Sequence, residues 1–129
     1  MPIAFWCVLI AIFLPYVGTS LAKFTGGGFG PRQNHDPRTF LATLEGYRKR
    51  ANAFQMNSFE VTPAFAAAVI IAYVVNNAEP ATIDRLAIAW VTSRLLYLIF
   101  YVADLALLRS LVWFLGMGLI IAIFVVSAA

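Results

Sequence analysis

The residues able to do chemistry fall into two stretches. In the first, Arg50, Asn57 and Glu60 stand among small and apolar neighbours. At about 100° per residue along a helix, Asn57 lies about 20° from Arg50 and Glu60 about 80° from it. The three therefore share a side, and Ala53 between them leaves room, while Asn52 and Gln55 point elsewhere. In the second stretch, Arg94, Tyr97, Tyr101 and Asp104 recur at spacings of three, four and three, which puts them on one helical stripe. Arg109 and Ser110 follow soon after.

That inventory suits anion recognition. Arg50, Arg94 and Arg109 offer planar donor forks that match carboxylates. Glu60 suits an ammonium group, and Asn57, Tyr97 and Tyr101 add neutral hydrogen bonds. A ligand with several carboxylates and one amine fits the set. Glu60 has an equally weighted second reading, as the partner of Arg50 or Arg94 in a pair that ties helices together. For the whole set the ligand reading is stronger, because three arginines face one well-buried acid.

The elements that hold these residues follow from composition. The chain has 129 residues, 62% hydrophobic and 12% charged. A soluble domain is about 45–50% apolar and about 25% charged, so there is too little polar surface here for a water-soluble enzyme. One cysteine rules out a disulfide scaffold. What remains is an all-α integral membrane protein, one four-helix membrane domain over residues 1–129 with an up-down topology. A spanning helix needs about 20 mostly apolar residues. Four spans fit, over about 1–22, 38–76, 81–104 and 108–128, with a polar loop over 23–37. The second extends upstream of its apolar run because Phe40, Leu41, Leu44, Tyr47, Ala51, Phe54 and Phe59 continue the helical spacing. It is read as one continuous helix, kinked near Pro63.

Charged residues inside spans cost about 2.5–3.5 kcal/mol each at the helix centre, which makes them functional candidates. Most of the basic residues, Lys23, Arg32, Arg38, Arg48, Lys49 and Arg50, precede the second apolar run. The positive-inside rule then places the first and third connections in the cytoplasm and both termini outside. Arg50 through Glu60 and Arg94 through Asp104 both fall in the inner half of the bilayer, so the two stripes are expected to converge on one pocket. The net charge of +3 is an orientation signal and a site rather than a nucleic-acid surface. The Gly26-Gly27-Gly28 run follows a membrane helix, with no Gly-Lys-Ser/Thr after it, and reads as a flexible loop. His35 is a loop residue, no metal or haem is expected, and Cys7 is a small buried side chain. Arg48 and Lys49 are expected to face headgroups, and Trp6, Trp90 and Trp113 to serve packing or the interface.

The segment Arg48-Lys49-Arg50-Ala51-Asn52-Ala53-Phe54-Gln55-Met56-Asn57-Ser58-Phe59-Glu60-Val61-Thr62-Pro63, with its Asn-x-x-Glu-x-x-Pro core, resembles the signature of the MAPEG family (membrane-associated proteins in eicosanoid and glutathione metabolism) in its bacterial-type form. Arg94-Leu95-Leu96-Tyr97-Leu98-Ile99-Phe100-Tyr101, followed by Arg109-Ser110, resembles a second family signature. The resemblance implies a homotrimer with glutathione, as co-substrate, bound between neighbouring subunits at the cytoplasmic side. It implies a transferase or peroxidase acting on lipophilic electrophiles or lipid hydroperoxides drawn from the membrane lipids. By motif position, Asn57 and Glu60 would contact the peptide, Arg94, Tyr97 and Tyr101 would line the site, and Arg109 would stabilise the thiolate. Many family enzymes carry arginine where this chain has Ala53, and Arg50, one turn earlier, stands in for it on this reading. The alternative is a non-catalytic lipid-binding or scaffold protein of the same fold.

Overall fold

The computed structural model describes residues 1–128. Its long helices are α1 (Ile3–Phe24), α3 (Gly46–Val75), α4 (Pro80–Val102) and α5 (Ala106–Ala128), with a short α2 (Pro37–Ala42) after the first loop. Each of the four long helices is long and apolar enough to cross a bilayer. Their ends follow local chemistry. Asn76 closes α3 in the left-handed region, its N–H returning to the Ala72 carbonyl, and Asn tolerates that conformation better than most residues. Pro80 opens α4 at a position where its missing N–H has no helical partner to lose. Asp104, with φ 61°, makes the turn between α4 and α5.

The continuous second helix read over 38–76 is divided. Thr43 and Leu44 donate to Phe40 and Leu41, tightening the last turn of α2. Glu45 is extended, and Gly46 starts α3 at φ 64°, a backbone conformation that glycine adopts without a Cβ penalty. The apolar periodicity runs through the break because both pieces bury the same way: Leu41, Leu44 and Ala51 cluster with Ala22 of α1. Pro63 lies inside α3.

Small residues let the helices approach. Ala4, Cys7 and Ala11 of α1 share a core with Ala68 and Ala72 of α3, and with Trp90 of α4 stacked on Phe65 at 3.9 Å. Without a hydrophobic drive between helices in lipid, such close contact is what holds a bundle together. At the start of α1, the Asp84 carboxylate of α4 accepts from the Ala4 N–H at 2.8 Å and from the Tyr73 hydroxyl of α3 at 3.2 Å. At the other end, Arg48 of α3 donates to the carbonyls of Ala22, Lys23 and Gly27. Arg48 therefore caps α1 and fastens the glycine loop, and is not directed to headgroups; Lys49 is exposed and pairs only with Glu45, at 3.7 Å. The outer faces remain apolar, with Phe13, Ile70, Val74, Leu107, Phe114 and Val125 exposed.

Candidate functional site: a donor-lined cavity between α3, α4 and α5

The site begins at a buried arginine. Arg94, on the inward side of α4, is 4% exposed. Its Nη2 donates to the Asn57 Oδ1 at 3.0 Å and to the Ser58 Oγ at 3.1 Å, both on α3. Its guanidinium also lies 4.2 Å from the Tyr97 ring centroid. The only ion pair among the described residues is Lys49–Glu45, so the buried charge of Arg94 is held by neutral oxygens and aromatic faces. Burying an arginine that way is costly unless its donors are satisfied.

Above it lies a cavity of about 240 Å³ lined by Asn57 of α3, Tyr97 and Tyr101 of α4, and Arg109, Ser110, Trp113 and Phe114 of α5. The spacing of Tyr97 and Tyr101 puts both on the same face, and their rings meet edge to face at 5.4 Å. The Arg109 guanidinium sits 4.5 Å from the Tyr101 ring centroid, one turn into α5. No acid lines this cavity, and Arg109 and Trp113 can only donate. The arrangement favours an anion.

The structure thus brings Asn57, Tyr97, Tyr101 and Arg109 together, with Arg94 beneath them. It does not bring Arg50 to them. Arg50 donates through Nε and Nη2 to the Val102 carbonyl, at 3.3 and 3.1 Å. That carbonyl belongs to the last turn of α4, where helix acceptors lack partners and a cation is favoured. Asp104 also leaves the stripe, since α4 ends at Val102 and Asp104 turns outward, exposed.

Glu60 lines a different and larger cavity, of about 580 Å³, between α1, α2 and α3. Asn52, Gln55, Met56 and Phe59 share that wall with it, facing Lys23 of α1 and Arg38 of α2. Asn52 and Gln55, which point away from Arg50, therefore do point at a cavity. Their spacing with Met56 and Phe59 is a helical stripe in its own right, and it was the available signal. Lys23 and Arg38 had no such signal, because only the fold of the loop brings them there. Trp113 and Phe114, read as packing or interface residues or not singled out, stand on the smaller cavity. Glu60 is only about 60° around α3 from Asn57, at the edge between the two faces.

A family model described as the MAPEG family matches this chain over residues 3–129. No curated protein and no solved structure matches it.

Proposed function

The chain belongs to the MAPEG family, and on that premise we propose that it is a membrane enzyme joining glutathione to lipophilic electrophiles, or using it to reduce lipid hydroperoxides. The observation that carries this reading is the acid-free cavity in which Arg109 stands over Tyr101 beside Asn57. A thiol of pKa about 8.5 is a better nucleophile at neutral pH when a cation favours its anion, and Arg109 is the cation free to do so. Asn57, Tyr97 and Tyr101 hold the peptide, and Arg94 supports Asn57 and Tyr97, both of which it contacts.

The separation of Glu60 from this cavity fits a site completed between subunits of an up-and-down homotrimer. Asn57 and Arg109 of one copy would then meet the face of the next that carries Glu60, Lys23, Arg38 and Gln55. Glu60 takes the amine, and Lys23 and Arg38 suit a second carboxylate. Basic residues crowd this end of the bundle, and by the positive-inside rule that supports a site at the cytoplasmic side with both termini outside.

One observation favours the alternative of a lipid-binding protein without catalysis. Arg50 is engaged with Val102, so nothing on the Asn57 face replaces the arginine absent at Ala53. Purified protein in detergent distinguishes the two. Conjugation of glutathione to a chlorinated nitrobenzene, lost in Arg109→Ala, supports the enzyme. No heat of glutathione binding at millimolar concentration, with uptake of a fatty-acid probe, supports the lipid-binding reading.

A further inference from the structure

Arginine can only donate. The atom of the Asn57 side chain that faces the Arg94 Nη2 at 3.0 Å must therefore be its oxygen, because an NH2 group there would oppose donor to donor. The Ser58 hydroxyl is set the same way: it donates to the Phe54 carbonyl at 2.9 Å and turns a lone pair to Arg94. With its oxygen taken, the Asn57 amide presents its NH2 group away from Arg94. Asn57 lines the smaller cavity, whereas Arg94 does not. Among the described residues the Asn57 NH2 has no partner.

We propose that Arg94 is a positioning residue which, with Ser58, locks Asn57 as a donor into the cavity. The cavity then selects a carboxylate or carbonyl oxygen at that point and refuses an amine. The other lining groups agree with this polarity, since Arg109 and Trp113 are donors and the hydroxyls of Tyr97, Tyr101 and Ser110 can donate. The proposal rests on the glutathione reading for the identity of the ligand, but the direction of the amide does not.

Asn57→Asp tests both parts, because it replaces the NH2 group by a second oxygen with almost no change of shape. The new carboxylate pairs with the otherwise uncompensated Arg94, so the unfolding temperature in detergent rises by a few degrees. The same change weakens calorimetric glutathione binding by about tenfold or more, because a donor to a charged acceptor is lost. Arg94→Met frees the amide to rotate and raises KM for glutathione by about tenfold with a smaller effect on kcat, and Arg94→Lys, which still donates, recovers most of it. Unchanged glutathione affinity in Asn57→Asp, or a lower unfolding temperature, overturns the proposal. Should Arg94→Met fail to fold, the two readouts of Asn57→Asp remain decisive. A chain that binds no glutathione yet gains stability in Asn57→Asp sinks the functional reading and supports the orientation of the amide.

Discussion

Asp84 accepts the backbone N–H of Ala4 at 2.8 Å across 80 residues of sequence. The N-terminal turn of a helix leaves N–H groups without partners, and α1 has no side-chain cap of its own. A carboxylate from α4 fills that role, and the positive end of the helix dipole favours its charge. The Tyr73 hydroxyl on the same oxygen brings in the end of α3. One side chain thus joins three helices at a single end of the bundle.

Replacing Asp84 by alanine should cost about 1–2 kcal/mol, the range for loss of a helix cap. Asp84→Asn, which keeps an acceptor but loses the charge, should cost less. Thermal unfolding in detergent gives the order, and amide exchange at Ala4 should quicken most in Asp84→Ala. Equal stability in all three proteins would remove Asp84 from its role.

A second prediction contrasts two glycines. A Cβ on Gly18 would stand 2.7 Å from the Ala51 carbonyl oxygen and 2.8 Å from the Phe54 ring. Helix α3 would have to move, so Gly18→Ala should destabilise by about 1–3 kcal/mol, as overpacking does. A Cβ on Gly118 meets nothing within 4 Å. Gly118→Ala should be neutral or stabilising by up to about 1 kcal/mol, since alanine favours the helix. Unfolding temperatures of the two variants should therefore move in opposite directions or differ plainly in size.

The sequence was most legible where one helix face had one task. Arg94, Tyr97 and Tyr101 at three and four residues reached a common neighbourhood because α4 runs unbroken through them. Arg50 and Glu60 did not, although both sit on α3. An angle on a helical wheel says which way a residue points and leaves open what already occupies that direction. Arg50 meets an unpartnered carbonyl at the end of α4, and Glu60 lies toward the neighbouring face. The division of the second helix was hidden for another reason. Leu41 and Leu44 before the break and Ala51 after it stay buried in one cluster, so apolar spacing carries no mark of it, and only Gly46 signals a turn.

A third prediction concerns the glycine loop. Arg48 is held by three carbonyls, and a Cβ on Gly26 would stand 2.7 Å from its Nη1. A free arginine would step aside at little cost; this one cannot without giving up its acceptors. Gly26→Ala should therefore expose the loop to limited proteolysis, as should Arg48→Ala. The double variant should be no worse than Arg48→Ala alone, because the two changes act through one contact. Additive effects would mean that the loop is held by something else.

The fourth prediction concerns Arg109 and the pH dependence of turnover. If Arg109 stabilises the thiolate, bound glutathione has a thiol pKa below the free value of about 8.5. Turnover then rises with pH through that lowered value and levels off while the protein is still near neutrality. Removing the cation in Arg109→Ala lets the bound pKa climb back toward about 8.5, so the rising limb of the kcat profile moves to higher pH. The loss of rate should be largest at neutral pH and should shrink in alkali, where both proteins hold the thiolate. Arg109→Lys, with its charge kept but its fork lost, should fall between them. The ultraviolet absorbance of the thiolate, titrated with glutathione bound and no electrophile present, should shift in parallel with the rate. A rate that falls by the same factor at every pH would assign Arg109 to positioning the peptide and not to its sulfur.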